Sequence, residues 1–189
     1  MTSTWRDFEA SPRQLHLLRR AVIVVLVLSL FAFLIRGADR PADPYLLGGA
    51  GRTKIGDFGE TLILVKSPTG ELSWCLLTAI TEAQHERGLM AITDKALGGY
   101  DGMLFEFPSD STQQFFMKNT PMPLSIAFID NGGNLVSTAD MAPCGNDDKC
   151  PLYSPTAAYR NAIEVPQGNL QKLGIVPGAV VVDQKKTCA

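Results

Sequence analysis

Short apolar runs alternate with turn-forming residues from Glu60 onward, which is typical of β-strands. The turn Ser67-Pro68-Thr69-Gly70 joins the first two runs as a hairpin, and Asn131-Gly132-Gly133 joins another pair. This spacing predicts eight strands, at Thr61–Lys66, Ser73–Ile80, Met103–Phe107, Gln113–Met117, Ser125–Asp130, Asn134–Met141, Tyr159–Val165 and Val180–Asp183.

Two short helices interrupt the strands. Thr81 and Gln84 have the spacing of a capping box, so a helix is expected to run through His85 and end near Gly88. A second helix is predicted at Asn169–Leu173, closed by Gly174. The pattern therefore predicts a mainly β fold, a single β-sandwich or partly closed barrel with two short helices.

The segment 21–35, AVIVVLVLSLFAFLI, contains no charged residue. As a helix it would span about 22 Å, and its flanking residues can extend it toward the roughly 30 Å hydrocarbon core. We interpret it as a single transmembrane helix behind a cytoplasmic tail, 1–20. A cleaved signal segment is the alternative. Its length fits, but Arg36-Gly37-Ala38 is a poor small-x-small cleavage site.

Charge is distributed unevenly along the chain. Residues 1–40 contain six basic and three acidic side chains (6 − 3 = +3), and residues 41–189 contain eleven and sixteen (11 − 16 = −5). The basic residues before the apolar segment place the N-terminus in the cytoplasm. A plasma-membrane protein with an extracytoplasmic body is therefore expected. An acidic body does not have the basic footprint of a nucleic-acid-binding protein, so no nucleic-acid partner is expected.

Composition also suggests the domain limits. Residues 36–59 contain six glycines and two prolines and little periodic apolar pattern, so we expect a flexible linker there. The globular domain is expected at 60–184, and residues 185–189 form a C-terminal tail.

Four cysteines allow three disulfide pairings. Cys144 and Cys150 bracket a polar turn, so we favour a bridge between them, which leaves Cys75 with Cys188. Disulfides suit an extracytoplasmic body. A four-cysteine zinc site is the weaker alternative, because no C-x₂₋₄-C pair is present.

Several motifs occur in series in the body. They are Glu86-Arg87-Gly88-Leu89-Met90, Gly102-Met103-Leu104-Phe105, Phe116-Met117-Lys118-Asn119-Thr120, Ile126-Ala127-Phe128-Ile129-Asp130 and Ile163-Glu164-Val165-Pro166, followed by Gly168 and Leu173-Gly174-Ile175. Their order and spacing resemble the domain of unknown function 192 family over roughly residues 60–184. The resemblance implies a small, mostly β domain, often behind a signal peptide or membrane anchor, and attaches no general activity to it.

The chain departs from the family pattern at two positions. Phe116 stands where the family usually has tryptophan, and Ser125 where it usually has aspartate. If that aspartate were a general acid or metal ligand in relatives, this chain would lack it, which weakens catalysis by analogy.

Polar residues in these motifs are the candidate site. The candidates for ligand binding are Glu86, Arg87, Asp101, Lys118, Asn119 and Glu164. Arg87 and Lys118 together could hold a carboxylate, phosphate or sulfate, and Asn119 could orient a carbonyl or hydroxyl. A structural interpretation competes with this one. Arg87 would pair with Glu164 or Asp101, and Asn119 would stabilise its own turn.

Three chemical alternatives stay open. Glu86 or Glu164 could act as the general base of an envelope hydrolase. Five methionines of the body could bind Cu(I), with His85 close to the first of them, although methionine more often fills gaps in a core; they are Met90, Met103, Met117, Met122 and Met141. Cys75 with His85 could form a thiol–imidazole pair, but a disulfide is the more usual state outside the cytoplasm.

These observations favour a membrane-anchored, extracytoplasmic binding or accessory module. Its expected partner is a small anionic or carbohydrate-like ligand, or an envelope protein. No resident cofactor or metal is predicted.

Overall fold

The structure is a computed structural model, and it describes residues 51–188. Within this range no helix is long and apolar enough to cross a membrane. The predicted cytoplasmic tail, the apolar segment 21–35 and linker residues 36–50 lie outside the described residues.

Nine strands and one α-helix make up the described body, with a single 3₁₀ turn at Leu97–Gly99. In chain order they are β1 (Gly59–Ser67), β2 (Gly70–Ala79), α1 (Glu82–Arg87), β3 (Gly102–Ser111), β4 (Phe115–Phe116), β5 (Leu124–Ile129), β6 (Leu135–Met141), β7 (Leu152–Tyr153), β8 (Tyr159–Pro166) and β9 (Val180–Asp183).

Seven strands form one sheet in the order β6-β5-β8-β3-β2-β1-β9, and β4 pairs with β7 in a second, two-stranded sheet. All pairs are antiparallel except β2 and β3. Parallel strands need a crossover, and α1 lies in it. The two edges of the large sheet meet at one isolated bridge, Asn134 with Val180. The fold is therefore mainly β, as predicted, but the sheet is not a closed barrel.

The large sheet has a hydrophobic core on each face, because alternate residues of a strand point to opposite sides. On β3, Met103 and Phe105 join one core, and Leu104 joins the other. The first core packs beneath the crossover and the β4 segment. The second packs beneath Leu170, Leu173 and Ile175. We call these the crossover face and the opposite face.

The alternating pattern located the eight predicted strands to within a few residues, and α1 begins with the predicted capping box. The strand predicted at Gln113–Met117 is shorter in the structure, where β4 has only two residues, and its partner strand β7 is not predicted from the sequence. The prediction of a second helix at Asn169–Leu173 is wrong. This segment is an irregular turn with one α-helical hydrogen bond, from the Leu173 N–H to the Asn169 carbonyl (3.1 Å).

Residues on both sides of the expected domain, 60–184, also pack on it. Phe58 is buried in the core, and the Thr53 N–H donates to the carbonyl of Gly98 (2.8 Å), so the last linker residues pack on the body. At the other end, the Leu62 N–H donates to the Lys186 carbonyl (2.8 Å), which aligns the tail beside β1.

Both predicted disulfides are present, Cys75–Cys188 and Cys144–Cys150. The zinc alternative and the Cys75–His85 thiol pair both require free thiols, and each of the four sulfurs is bonded to another.

We expect Gly102→Ala to destabilise the domain by roughly 1–3 kcal/mol, the range for overpacking a core. A Cβ at this position would lie 2.4 Å from the backbone oxygen of Glu164 and 2.8 Å from Cγ1 of Val165. Gly145→Ala is the matched control, because its Cβ would meet nothing within 4 Å. Urea unfolding of the full-length chain measures both, and equal midpoints would contradict the close approach of β3 and β8.

The two disulfides should differ in their contribution to stability. Their cysteines are separated by 113 and 6 residues. Loop-closure entropy then gives about 5 kcal/mol for Cys75–Cys188 and about 2 kcal/mol for Cys144–Cys150. Double Cys→Ser variants of each pair, compared by urea unfolding, test this difference. A larger loss from the short loop would refute the entropic explanation.

Candidate functional site

A cavity of about 130 Å³ opens on the crossover face, between α1, β3 and the β4 segment. Its walls are aromatic and its rim is polar. The lining residues are His85, Glu86, Arg87, Gly88, Leu89, Met90, Phe105, Phe107, Gln113, Gln114, Phe115, Phe116, Thr120 and Glu164. Three of the six predicted ligand-binding residues line this cavity, Glu86, Arg87 and Glu164.

Glu164 lies in β8, a central strand with β5 and β3 on its two sides. Its direct neighbours are Ile126 and Met103, both members of the crossover-face core. Alternation along β8 directs its side chain toward the same face as Ala162. The residue is only 4 % exposed. An acidic residue therefore occupies a core position of the sheet, at the side of the cavity.

The Glu164 carboxyl has no hydrogen bond or ion pair with any of residues 51–188. Burial alone raises its pKa from 4.5 to about 8, because the charged form loses its hydration. At neutral pH the group is thus mostly protonated, and it can donate a hydrogen bond or release a proton at little cost.

Gly88 keeps this carboxyl accessible from the cavity. It ends α1 with φ +45° and ψ −131°, a conformation that side chains avoid. A Cβ here would lie 3.2 Å from Cζ of Phe105 and 4.0 Å from Oε2 of Glu164. A side chain at position 88 would therefore extend toward the carboxyl.

Aromatic rings form the wall opposite the helix. Phe115 packs edge-on against Phe105, with centroids 5.1 Å apart, and against Phe128 at 5.7 Å. Its neighbour Phe116 points the other way and is 39 % exposed at the cavity mouth. A two-residue strand thus supplies one partly buried ring and one exposed ring.

The helix α1 supplies the polar rim. Its capping box fixes its start, since the Thr81 hydroxyl accepts the Gln84 N–H and the Gln84 side chain accepts the Thr81 N–H (3.2 Å). His85 then stacks on Phe107 (centroids 4.5 Å apart), and its Nε2 donates to the Ala79 carbonyl (3.0 Å). Glu86 is exposed beside it.

The structural interpretation predicts that Arg87 pairs with Glu164 or Asp101. In the structure it pairs with neither. Its guanidinium forms an ion pair with Asp57 and lies over the ring of Phe58, 4.2 Å from the centroid. Its hydrogen bond lowers the pKa of Asp57. The last residues of the expected linker therefore neutralise this cation at the edge of the cavity.

Lys118 and Asn119 are not among the residues that line the cavity. Lys118 forms an ion pair with Asp148, in the Cys144–Cys150 loop, and this bond lowers the pKa of Asp148. Asn119 has a left-handed φ of +55°. Its N–H donates to the Gly145 carbonyl (3.0 Å) and its carbonyl accepts the Ala91 N–H (2.8 Å). The predicted anion site of Arg87 with Lys118 is therefore not assembled.

The two remaining motif residues also lie elsewhere. Asp101 accepts the Cys75 N–H (3.0 Å), and burial raises its pKa. Ser125 points to the opposite face, where its hydroxyl accepts the Gly168 N–H (3.0 Å) and donates to Asp140. The Ser125 departure from the family pattern thus does not affect the cavity.

Sequence reasoning did not predict Gln113, Gln114 and Thr120 as lining residues. Gln113 and Gln114 precede Phe115 and Phe116, and Thr120 ends the Lys118-Asn119-Thr120 motif, but neither position indicates a cavity. Of the methionines considered for Cu(I), only Met90 lines the cavity. The other four are buried in the core, where they fill space; they are Met103, Met117, Met122 and Met141.

Fold and site together define a mainly β domain with a buried acid beneath an aromatic cavity. The chain belongs to the DUF192 family, described as "Uncharacterized ACR", whose sequence model matches residues 65–182. No curated protein matches the chain.

Two solved structures share the fold. One is a protein of unknown function from Novosphingobium aromaticivorans DSM 12444, with 23 % identity and a TM-score of 0.62 over 75 % of this chain and 98 % of that one. The other is a protein of Sinorhizobium meliloti 1021, named provisionally as a transcription regulator. It has 21 % identity and a TM-score of 0.59 over 69 % of this chain and 98 % of that one. At these identities the likeness extends to the fold alone.

We expect Glu164→Gln to be more stable than the parent chain above pH 8 and close to it near pH 4. The folded pKa is about 8 against an ordinary value of 4.5, so between these values the folded state binds the extra proton. Stability of the parent therefore falls as pH rises through this window, by roughly 4–5 kcal/mol in all. Glutamine keeps the shape and cannot ionise. Urea unfolding of both full-length chains from pH 4 to 9 tests this; parallel profiles would contradict it.

Proposed function

We propose that this protein is a binding module that holds a small organic group in the Glu164 cavity, and that its N-terminal segment anchors the module outside the cytoplasm. One observation supports the cavity as the site above all others. It is a buried carboxyl that has no partner among residues 51–188 and is open to a cavity with aromatic walls.

A functional role explains this carboxyl better than a structural one. A buried ionisable group costs stability unless it is paired, and the Glu164 carboxyl contributes no hydrogen bond to the fold of residues 51–188. The ion pairs Arg87–Asp57 and Lys118–Asp148 lie nearby on the same face, and neither extends to this carboxyl. Positions that break a folding rule without local compensation are expected at functional sites.

The size and lining of the cavity suit a small ligand. An engineered cavity of about 150 Å³ binds benzene, so a volume of about 130 Å³ accommodates one ring or a short chain. Apolar walls with a few polar groups are the usual composition of such sites. Arg87 is already paired and Lys118 lies outside the lining, so the described residues favour an uncharged or cationic group over an anion.

The proposed location of the module outside the cytoplasm is inferred mainly from the sequence. The arginines before residues 21–35 favour an N-terminus in the cytoplasm, and two disulfides suit an oxidising compartment. Phe116, at the cavity mouth, pairs across the small sheet with Leu152, and both side chains are exposed. An envelope protein that carries the bound group could contact these two side chains.

An envelope hydrolase is the second candidate, and the pKa of Glu164 favours it. A carboxyl that titrates near neutral pH can act as general acid or general base, and Glu86 provides a second carboxylate at the rim. Glu164→Gln would then abolish turnover of a bound compound, whereas a pure binding module gives no turnover in either chain.

A thermal-shift screen of the full-length chain in mild detergent tests the proposal. The panel contains envelope sugars, small amines, small alcohols and small carboxylates. A ligand at 100 times its Kd stabilises the fold by about 2.7 kcal/mol. We expect hits whose stabilisation falls in Phe116→Ala, which removes an accessible ring from the cavity, and persists in Lys172→Ala, which changes an exposed residue far from the lining. Hits that are lost only in Lys172→Ala would place the site elsewhere.

A further inference from the structure

The Glu164 cavity continues into a wider groove. The two share His85, Glu86, Phe107 and Gln113, and the groove has a volume of about 580 Å³. Its far side is the β3 extension, Pro108 to Thr112. A ligand that places one end against Glu164 thus has space for a longer body along the groove.

Acidic residues outnumber basic residues around this combined site. Four acidic residues line the cavity or the groove among residues 51–188, namely Glu82, Glu86, Asp110 and Glu164. Arg87 is the basic lining residue, and Asp57 neutralises it. Arg160 pairs with Asp110 (2.8 Å), but Glu82 and Glu86 have no cationic partner within ion-pair distance among the described residues. Such a lining attracts cations and repels anions.

The aromatic wall strengthens this preference. Four phenylalanines line the cavity beside the carboxyl: Phe105, Phe107, Phe115 and Phe116. The face of an aromatic ring attracts a cation, and this attraction grows when the cation is desolvated. A buried carboxyl beside aromatic rings is thus suited to an ammonium group on an apolar stem.

We propose that the ligand ends in a protonated amine on an apolar stem, with the ammonium beside the Glu164 carboxyl and the stem directed along the groove. This inference rests on the proposed binding function and names its ligand class. When the amine binds, the Glu164 carboxyl releases its proton to solvent, and the ammonium retains its own protons and pairs with the carboxylate.

Proton release links binding to pH. With a pKa of about 8, roughly 1 % of Glu164 is ionised at pH 6 and about half at pH 8, so amine affinity should rise about 50-fold between them. Among the described residues, three other charged or titratable groups line the cavity, all on α1: His85, Glu86 and Arg87. Because these groups also face the ligand, a Glu164 variant is needed to assign the rise.

The experiment uses three probes of one shape: benzylamine, benzyl alcohol and benzoate. Their Kd values for the full-length chain in mild detergent are measured by NMR titration at pH 6, 7 and 8. We expect benzylamine to bind most tightly at pH 8 and to follow the predicted rise. Glu164→Gln should abolish most of that rise, and Lys172→Ala, which changes an exposed residue outside the cavity and the groove, should leave it unchanged. Glu164→Gln retains shape and loses only the charge, and its melting temperature checks that it folds.

The outcomes separate the two proposals. If benzyl alcohol binds as well as benzylamine and weakens between pH 6 and pH 8, the cavity binds a neutral oxygen group, so the amine class is wrong and the binding function stands. A rise in benzylamine affinity that persists in Glu164→Gln would assign it to another group and overturn the role of Glu164. If none of the three probes binds, both the amine class and the cavity as a binding site fail.

Discussion

The energetic constraint at the centre of this domain is the burial of the Glu164 carboxyl. A central strand places it between Met103 and Ile126, in a core that would favour an apolar side chain. The fold tolerates the acid by keeping it protonated, since burial raises its pKa to about 8. The price is stability that is lost as pH rises from about 4.5 to about 8. The Glu164 carboxyl therefore holds a proton that it can release near neutral pH, and it lies beside a cavity large enough for another molecule.

The two faces of the large sheet differ in how they are covered. Leu170, Leu173 and Ile175 cover the core of the opposite face, and Ser125 holds the turn at Gly168. The crossover face is only partly covered, and α1 leaves a gap where Gly88 lacks a side chain. The core of the opposite face contributes packing energy but no residue of the cavity lining. Substitutions on the opposite face should therefore act on stability before they act on binding.

The sequence was informative wherever the signal was local. Alternation located the strands, Thr81 and Gln84 predicted the start of α1, and the short loop suggested the Cys144–Cys150 bridge. It failed where partners are distant. Arg87 pairs with Asp57 and Lys118 with Asp148, each 30 residues away, and no spacing rule selects such pairs. Glu164 could be named from its motif, but the cavity around it combines segments from 85 to 164.

The Lys118-Asn119-Thr120 motif has a positioning role in this arrangement. All three residues fasten the β4 segment to the Cys144–Cys150 loop: Lys118 through Asp148, Asn119 through the Gly145 carbonyl and Thr120 through its bridge with Cys144. The β4 segment carries Phe115 and Phe116, and two strand residues alone could not hold these rings in place. The motif therefore acts on the cavity through the wall that it secures, which explains how polar residues outside the lining still shape the site.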